Sequence, residues 1–100
     1  MKLYLDDIRP TPNGWVHCRW PQDVIFYMKS YGPWIDEISL DHDLGNDAIG
    51  TGYDVVKWIE EQCYYNCSFY VPKISLHTDN SVGRQRMKNA IQQIQKLKLR

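Results

Sequence analysis

No apolar run in these 100 residues approaches the roughly 20 that a membrane span needs, so no membrane role is expected. The opening MKLYLDDIRP places acids where a signal peptide would carry an apolar core, which leads to the expectation of a soluble, cytoplasmic protein. Cysteine is scarce and odd in number. Cys18, Cys63 and Cys67 include one four-residue spacing but no second pair to complete a zinc site, so reduced thiols packed as small hydrophobes are expected. No stretch is dominated by Gly, Ser or Pro, and aromatic residues reach 13%, which excludes wholesale disorder. A Walker loop and a Gly-x-Gly-x-x-Gly turn are both missing. The last absence is of acid: none of the twelve Asp and Glu lies beyond Asp79, whereas Arg84, Arg86, Lys88, Lys96, Lys98 and Arg100 all do. A basic segment thus follows an acidic body. A helix C-terminus accounts for Lys96, Lys98 and Arg100, but not for Arg84 and Arg86 near that helix's start.

With 43% hydrophobic residues the chain can bury one core and cannot divide into two that fold alone, so residues 1–100 read as a single domain. Residues 2–6 read as a short strand that runs into the Pro-rich loop IRPTPNG, and residues 15–19 as a second strand. Pro21 suits the first turn of a helix ending near Tyr31-Gly32-Pro33. Residues 35–41 alternate as a strand, and DHDLGNDAIG follows as a polar loop. Thr51 and Asp54 form a capping-box-like start for a helix that buries Val55, Val56, Ile59 and Cys63. Residues 71–77 give a further strand, and Ser81 caps a last helix carrying Met87, Ala90, Ile91, Ile94 and Leu97 on one stripe. Strands alternating with helices in this way predict a parallel sheet with right-handed crossovers.

In such a sheet the loops that leave the strand C-termini form the ligand crevice. Asp6 and Asp7 end the first strand, Asp41, His42 and Asp43 end the third, and His77, Thr78, Asp79 and Asn80 end the fourth. Any one of these Asp residues has an ordinary use as a cap or turn former, but four together point to a site. Converging carboxylates repel one another unless a cation or protons neutralise them, and all-oxygen ligands favour Mg²⁺ or Mn²⁺. His42 and His77 are able to move a proton near neutral pH. The free N–H groups at the start of the last helix, beside Arg84 and Arg86, suit an anion. His17 reads as structural, Asn80 also serves as a helix cap, and Asp23, Asp47 and Asp54 fit helix starts or loops. DHDLGNDAIGTG has Gly at the fifth position of a calcium loop and no Glu at the twelfth, so it is not an EF-hand.

An acidic pair closing the first strand, an Asp closing a central strand and a hydroxyl residue closing a later one resemble the response-regulator receiver domain. More specifically, LDDIRPTPNGW, Arg19, ISLDHDLG, TGYD and HTDNSVGRQRM resemble the signature of the cyclic-phosphate-processing receiver-like family, from Leu5 to about Met87. The resemblance implies a flavodoxin-like, three-layer α/β sandwich with a reduced, mainly parallel sheet of about four strands. It also implies occurrence in bacteria and phages, and processing of 2′,3′-cyclic phosphates on RNA or nucleotides. By matching position it points to Asp6, Asp7, Asp41, His42, Asp43, His77 and Asn80, with Arg9, Arg19 and Arg84 as phosphate contacts. The chain is too short for five full βα units and lacks the Lys that closes a fifth strand, so phosphotransfer from a histidine kinase is not expected.

The leading expectation is a metal-dependent phosphoesterase acting on a nucleotide or RNA end. Asp6, Asp7 and Asp41 hold Mg²⁺ or Mn²⁺, Asp43 positions water or acts as base, and His42 or His77 protonates the leaving oxygen. Arg9, Arg19, Thr78, Asn80 and Arg84 bind substrate, and a covalent route through Asp41 is an alternative. A second expectation is a non-catalytic module that binds phosphate, nucleotide or a protein partner, with Tyr64, Tyr65, Phe69 and Tyr70 as a contact surface. The simpler reading of YYNCSFY is the edge and floor of a sheet. A third is RNA binding led by the basic C-terminal segment.

Overall fold

The computed structural model of the chain describes residues 1–42 and 51–99. Their elements run in the order β1 (Lys2–Leu5), β2 (Val16–Cys18), α1 (Pro21–Tyr31), β3 (Glu37–Leu40), α2 (Gly52–Tyr65), β4 (Lys73–Leu76) and α3 (Ser81–Lys98), with a 3-10 turn at Gly32–Trp34. All the expected strands form, each one to three residues shorter than expected. The four strands are parallel in the order β2-β1-β3-β4, so the strand order reverses between β1 and β3. A reversal of this kind is where α/β sheets hold ligands. None of the described helices is long and apolar enough to cross a membrane.

Alternation along the strands assigns the two faces of the sheet. Leu3, Leu5, Cys18, Ile38 and Leu40 are buried among Val24, Met28, Val55, Val56, Ile59, Met87 and Ile94 of the helices. The crossovers from β2 to β3 and from β3 to β4 step across the sheet in the same direction, and right-handed connections place their helices on the same face. Accordingly α2 packs against both α1 and α3. The expected third layer is not a helix layer. Only the crossover from β1 to β2 runs the other way, and its segment is the loop of residues 6–15, where Pro10, Pro12 and the turn at Gly14 (φ 86°) leave no room for a helix. Among the described residues the second face is therefore polar and aromatic. Trp15 meets Tyr4 edge-on with centroids 6.0 Å apart, Lys2 lies over Trp15, and Ser75 Oγ donates to Glu37 at 2.7 Å.

Two local expectations are corrected. YYNCSFY is not part of the sheet: Tyr64 and Tyr65 complete the last turn of α2 and stay exposed. The Asn66 side chain accepts from the Ser68 N–H and turns the chain, Phe69 packs edge-on against Trp58, and the Tyr70 hydroxyl donates to the Ile35 carbonyl. Lys98 donates to the carbonyls of Cys67 and Phe69, so it holds this loop rather than only the end of its own helix. The cap of α3 is Asn80, whose Oδ1 accepts from the Gly83 N–H at 2.9 Å, and Ser81 is the first helical residue. The capping box of α2 is as expected, with Thr51 accepting from Tyr53 and Asp54 accepting from Thr51. Cys18 and Cys63 are buried and free, and burial pushes the Cys18 thiol up to about 12.

Asn80→Ala is expected to lower unfolding free energy by about 1 kcal/mol, the usual value of an N-cap, and Ser81→Ala by much less. Urea denaturation of the two variants measures the difference; an equal loss would move the cap to Ser81.

Candidate metal and phosphate site

The pairing register aligns the functional residues. Leu5 is level with Cys18 on one side and Leu40 on the other, and Leu40 is level with Leu76. The residues one step further on, Arg19, Asp6, Asp41 and His77, therefore form one row across the C-terminal edge of all four strands. Backbone pairing continues through it, with Asp6, Asp41 and His77 each donating its N–H to the neighbouring strand at 3.1 Å. By alternation Asp6, Asp41 and His77 share the helix-free side with Tyr4, Ser39 and Ser75.

Asp6 is 0% exposed and fully engaged. Its Oδ1 accepts from the backbone N–H groups of Ile8 (2.8 Å) and Arg9 (2.9 Å), a turn that folds the loop back over the strand end. Its Oδ2 accepts from Arg9 Nη1 at 2.9 Å and faces His77 Nε2 at 3.1 Å. Arg9 extends the network, with Nη1 3.4 Å from Asp41 Oδ2 and Nη2 2.7 Å from Asp79 Oδ2. Asp6, Ile8, Arg9, Asp41 and Asp79 line a cleft of about 250 Å³.

His77 is gripped on three sides. Its ring stacks on Tyr4 with centroids 4.2 Å apart, Nδ1 meets Ser39 Oγ at 2.7 Å, and Nε2 meets Asp6. An ionised carboxylate only accepts, so Nε2 carries a proton towards Asp6, and Nδ1 pairs with the Ser39 hydroxyl. Burial alone would raise the Asp6 carboxyl, but the N–H groups of Arg9 and Ile8 and the Arg9 guanidinium outweigh it and hold it below its ordinary value. The three carboxylates raise Arg9 in return, against its partial desolvation.

One atom here has no hydrogen-bond partner among the described residues. Asp7 Oδ1 is buried and unpaired, and Asp6, Asp7 and Asp41 each offer an oxygen within 4.8 Å of the others. A buried unpaired carboxylate oxygen is costly, and a hard divalent cation is the group that oxygen ligands at this spacing suit. The three residues fit such an ion.

The chain matches the family described as cyclic-phosphate processing receiver domain over residues 1–93. It belongs to that family. The match includes the span from Leu5 to Met87 on which the resemblance rested. Neither the curated proteins nor the solved structures compared with the chain gave a match.

The remaining expected site residues of the receiver domain divide into three groups. His42 stands at the end of β3 with its ring pressed on the first turn of α3: a Cβ on Gly83 would sit 2.4 Å from its Cγ. Gly52 is required for a similar reason, because a Cβ there would meet the Asp41 carbonyl oxygen at 2.2 Å, the oxygen to which the Gly52 N–H donates. Thr78 and Asn80 are spent on folding the turn from β4 to α3, the Thr78 hydroxyl accepting from the Asn80 N–H. Arg19 and Arg84 are not in the cleft. Arg19 stacks on Trp20, and Arg84 donates to the Thr78 carbonyl while its side chain lines a separate groove beside β4. His17 is structural as expected, meeting the Asp6 carbonyl at 2.8 Å. Asp43 and Asp47 lie outside the described residues.

Sequence reasoning missed Ser39 and Tyr4 as supports of His77, Asp79 as an anchor of Arg9, and the two glycines. Strand parity carried the signal for the first pair, since Tyr4 and Ser39 stand two residues before Asp6 and Asp41.

The folded chain keeps Asp6 ionised at pH values where the unfolded chain has begun to take up a proton, so its stabilising share is complete above about pH 4. That share is lost as the pH falls through the lowered folded value. Asp36 behaves alike, held down by its hydrogen bond to the α-ammonium group. In metal-free buffer the urea midpoint should fall below about pH 4, and Asp36→Asn should reduce the fall without abolishing it. A midpoint unchanged under acid conditions, or a fall wholly removed by Asp36→Asn, would contradict this assignment.

Proposed function

We propose that this receiver domain is a metal-dependent phosphoesterase that opens a 2′,3′-cyclic phosphate on a nucleotide or RNA end. The observation that carries the reading is the in-register row Asp6, Asp41, His77, with the unpaired Asp7 oxygen beside it and the Arg9 guanidinium across it. The family description agrees with the substrate class.

Asp6, Asp7 and Asp41 would hold Mg²⁺ or Mn²⁺, which when bound polarises the phosphoryl oxygens and neutralises charge. The chain's own residues supply the rest. Arg9 is the cation best placed to meet a phosphate in the cleft, because only hydrogen bonds to acceptors hold it there and phosphate oxygens replace them in kind. His77 Nε2 lies beside the Asp6 carboxylate at the C-terminal edge of the sheet, and the imidazolium form can pass a proton to the ribose oxygen that leaves when the ring opens, returning to the neutral ring. Tyr4 and Ser39 fix the ring in the one orientation that presents this nitrogen. Asp43, three residues beyond Leu40, is retained as the group that positions or deprotonates water. A non-catalytic phosphate-binding module is the second reading, favoured by the way Arg9 bridges Asp6, Asp41 and Asp79 and so balances their charge from within the chain. Binding that persists with a chelator and gives no turnover would select it.

With Mg²⁺ or Mn²⁺ the protein should convert a 2′,3′-cyclic mononucleotide to a monophosphate. His77→Gln should lower kcat by about 10²-fold or more, the usual share of a general acid. The reading fails if cyclic nucleotides and cyclic RNA ends survive intact, or if Asp41→Asn keeps full activity. Arg9 and a divalent cation compete for Asp6 and Asp41, so Arg9→Ala should tighten Mn²⁺ binding by roughly tenfold in calorimetry, a modest effect because Arg9 is partly solvated. Weaker Mn²⁺ binding in that variant would place the ion elsewhere.

A further inference from the structure

A second concave surface lies beside the cleft, between α3 and β4. Ile74, Leu76 and Ile91 line it together with Arg84, Lys88 and Gln92, and its volume is about 370 Å³. Among the described strands β4 lies at the edge of the sheet. Arg84, Lys88 and Gln92 recur every four residues and so lie along one face of α3, on a track that continues to Gln95 for about 16 Å in all. No acid lines the track, and α3 contains none. Arg86, the other cation of the first turns, is turned away onto the Tyr53 ring 4.5 Å from its guanidinium. The two surfaces join at one turn: Arg84 donates to the Thr78 carbonyl, and Asp79, the next residue, lines the cleft.

We propose that this groove carries the polynucleotide strand behind the reacting end, so that the substrate is a single-stranded RNA terminus rather than a free cyclic nucleotide. The proposal rests on the phosphoesterase reading for the identity of that end. A cleft dominated by carboxylates gives a polyanion little attraction of its own. Affinity for the strand must come from cations set apart from those acids, and the α3 track is where Arg84 and Lys88 stand without acidic neighbours. The amide side chains suit sugar hydroxyls and phosphate oxygens, and the three apolar residues suit base faces. The track starts at the turn that bears Asp79 and leads away from the row, as a strand leaving the reacting end must.

The test uses the full chain with Mg²⁺ and a labelled single-stranded oligoribonucleotide ending in a 2′,3′-cyclic phosphate, followed by fluorescence anisotropy, beside turnover of the cyclic mononucleotide. The oligonucleotide should bind roughly tenfold or more tightly than the mononucleotide, with affinity that falls as salt rises. Lys88→Ala should lower the logarithmic salt slope by about 0.7, the share of one single-strand phosphate. Lys88→Glu should weaken oligonucleotide binding by about tenfold or more while mononucleotide turnover is unchanged. Lys88 is exposed on a helix that accepts either residue, so folding is not at issue. Equal affinity for the two ligands, or oligonucleotide binding indifferent to Lys88→Glu, overturns the proposal whatever the turnover; a groove that serves a protein strand would give that second result. Oligonucleotide binding that depends on Lys88 without turnover of either ligand supports the groove and removes the phosphoesterase reading.

Discussion

Asp6 and Asp41 end adjacent parallel strands in register, and the repulsion between their buried carboxylates is the constraint that the surrounding structure answers. Left alone, two such charges in a medium of low dielectric would pull a proton onto one of them or open the strand ends. The fold answers in layers. Backbone N–H groups of Ile8 and Arg9 absorb one oxygen of Asp6, the Arg9 guanidinium spans both carboxylates, and Asp79 completes the guanidinium's third side. The loop of residues 6–15 is thereby tied to the strand end by charge as well as by its prolines. A helix there would carry Arg9 along its own axis and away from Asp41, so the loop that the prolines and Gly14 impose also serves the site.

The parts of this arrangement that were legible in the sequence are those set by local chemistry. Alternating apolar residues in short runs, Pro21 at a helix start, the Thr51 and Asp54 pair and the acids closing β1 and β3 all act within a few positions of themselves, so their consequences can be read from spacing. The parallel sheet followed from the alternation of elements, and the crevice from the sheet. Asp6, Asp7, Asp41 and His77 were therefore brought together as expected.

What was not legible depended on direction and on close approach. The number of layers turns on which way each crossover steps across the sheet, and that is a property of strand order, which no local run encodes. Arg84 sits close in sequence to the cleft's residues yet serves another surface, because helical rotation of α3 carries it around to the β4 edge. Thr78 and Asn80 looked like binding groups since their polar atoms stand at a strand end, but the turn into α3 consumes those atoms first. The spacing of Gly52 and Gly83 carries no sign of what they do. Their actual role is the absence of a Cβ where the Asp41 carbonyl and the His42 ring lie against a helix start.

Close approach also decides which groups feel a change of charge in the cleft. Here the row of Asp6, Asp41 and His77 faces the side of the sheet that carries no described helix, and its contacts are with Tyr4, Ser39 and the loop of Arg9. Charge changes at the cleft are thus felt first by Arg9, which is partly exposed and held by the carboxylates of Asp6, Asp41 and Asp79, while the Asp41 carbonyl ties the same row to the start of α2. A cation that can be released by one set of anions and captured by another is suited to receiving a phosphate and letting it go. The fold thus keeps the carboxylate row of a receiver domain and places beside it a guanidinium whose partners a bound anion would exchange.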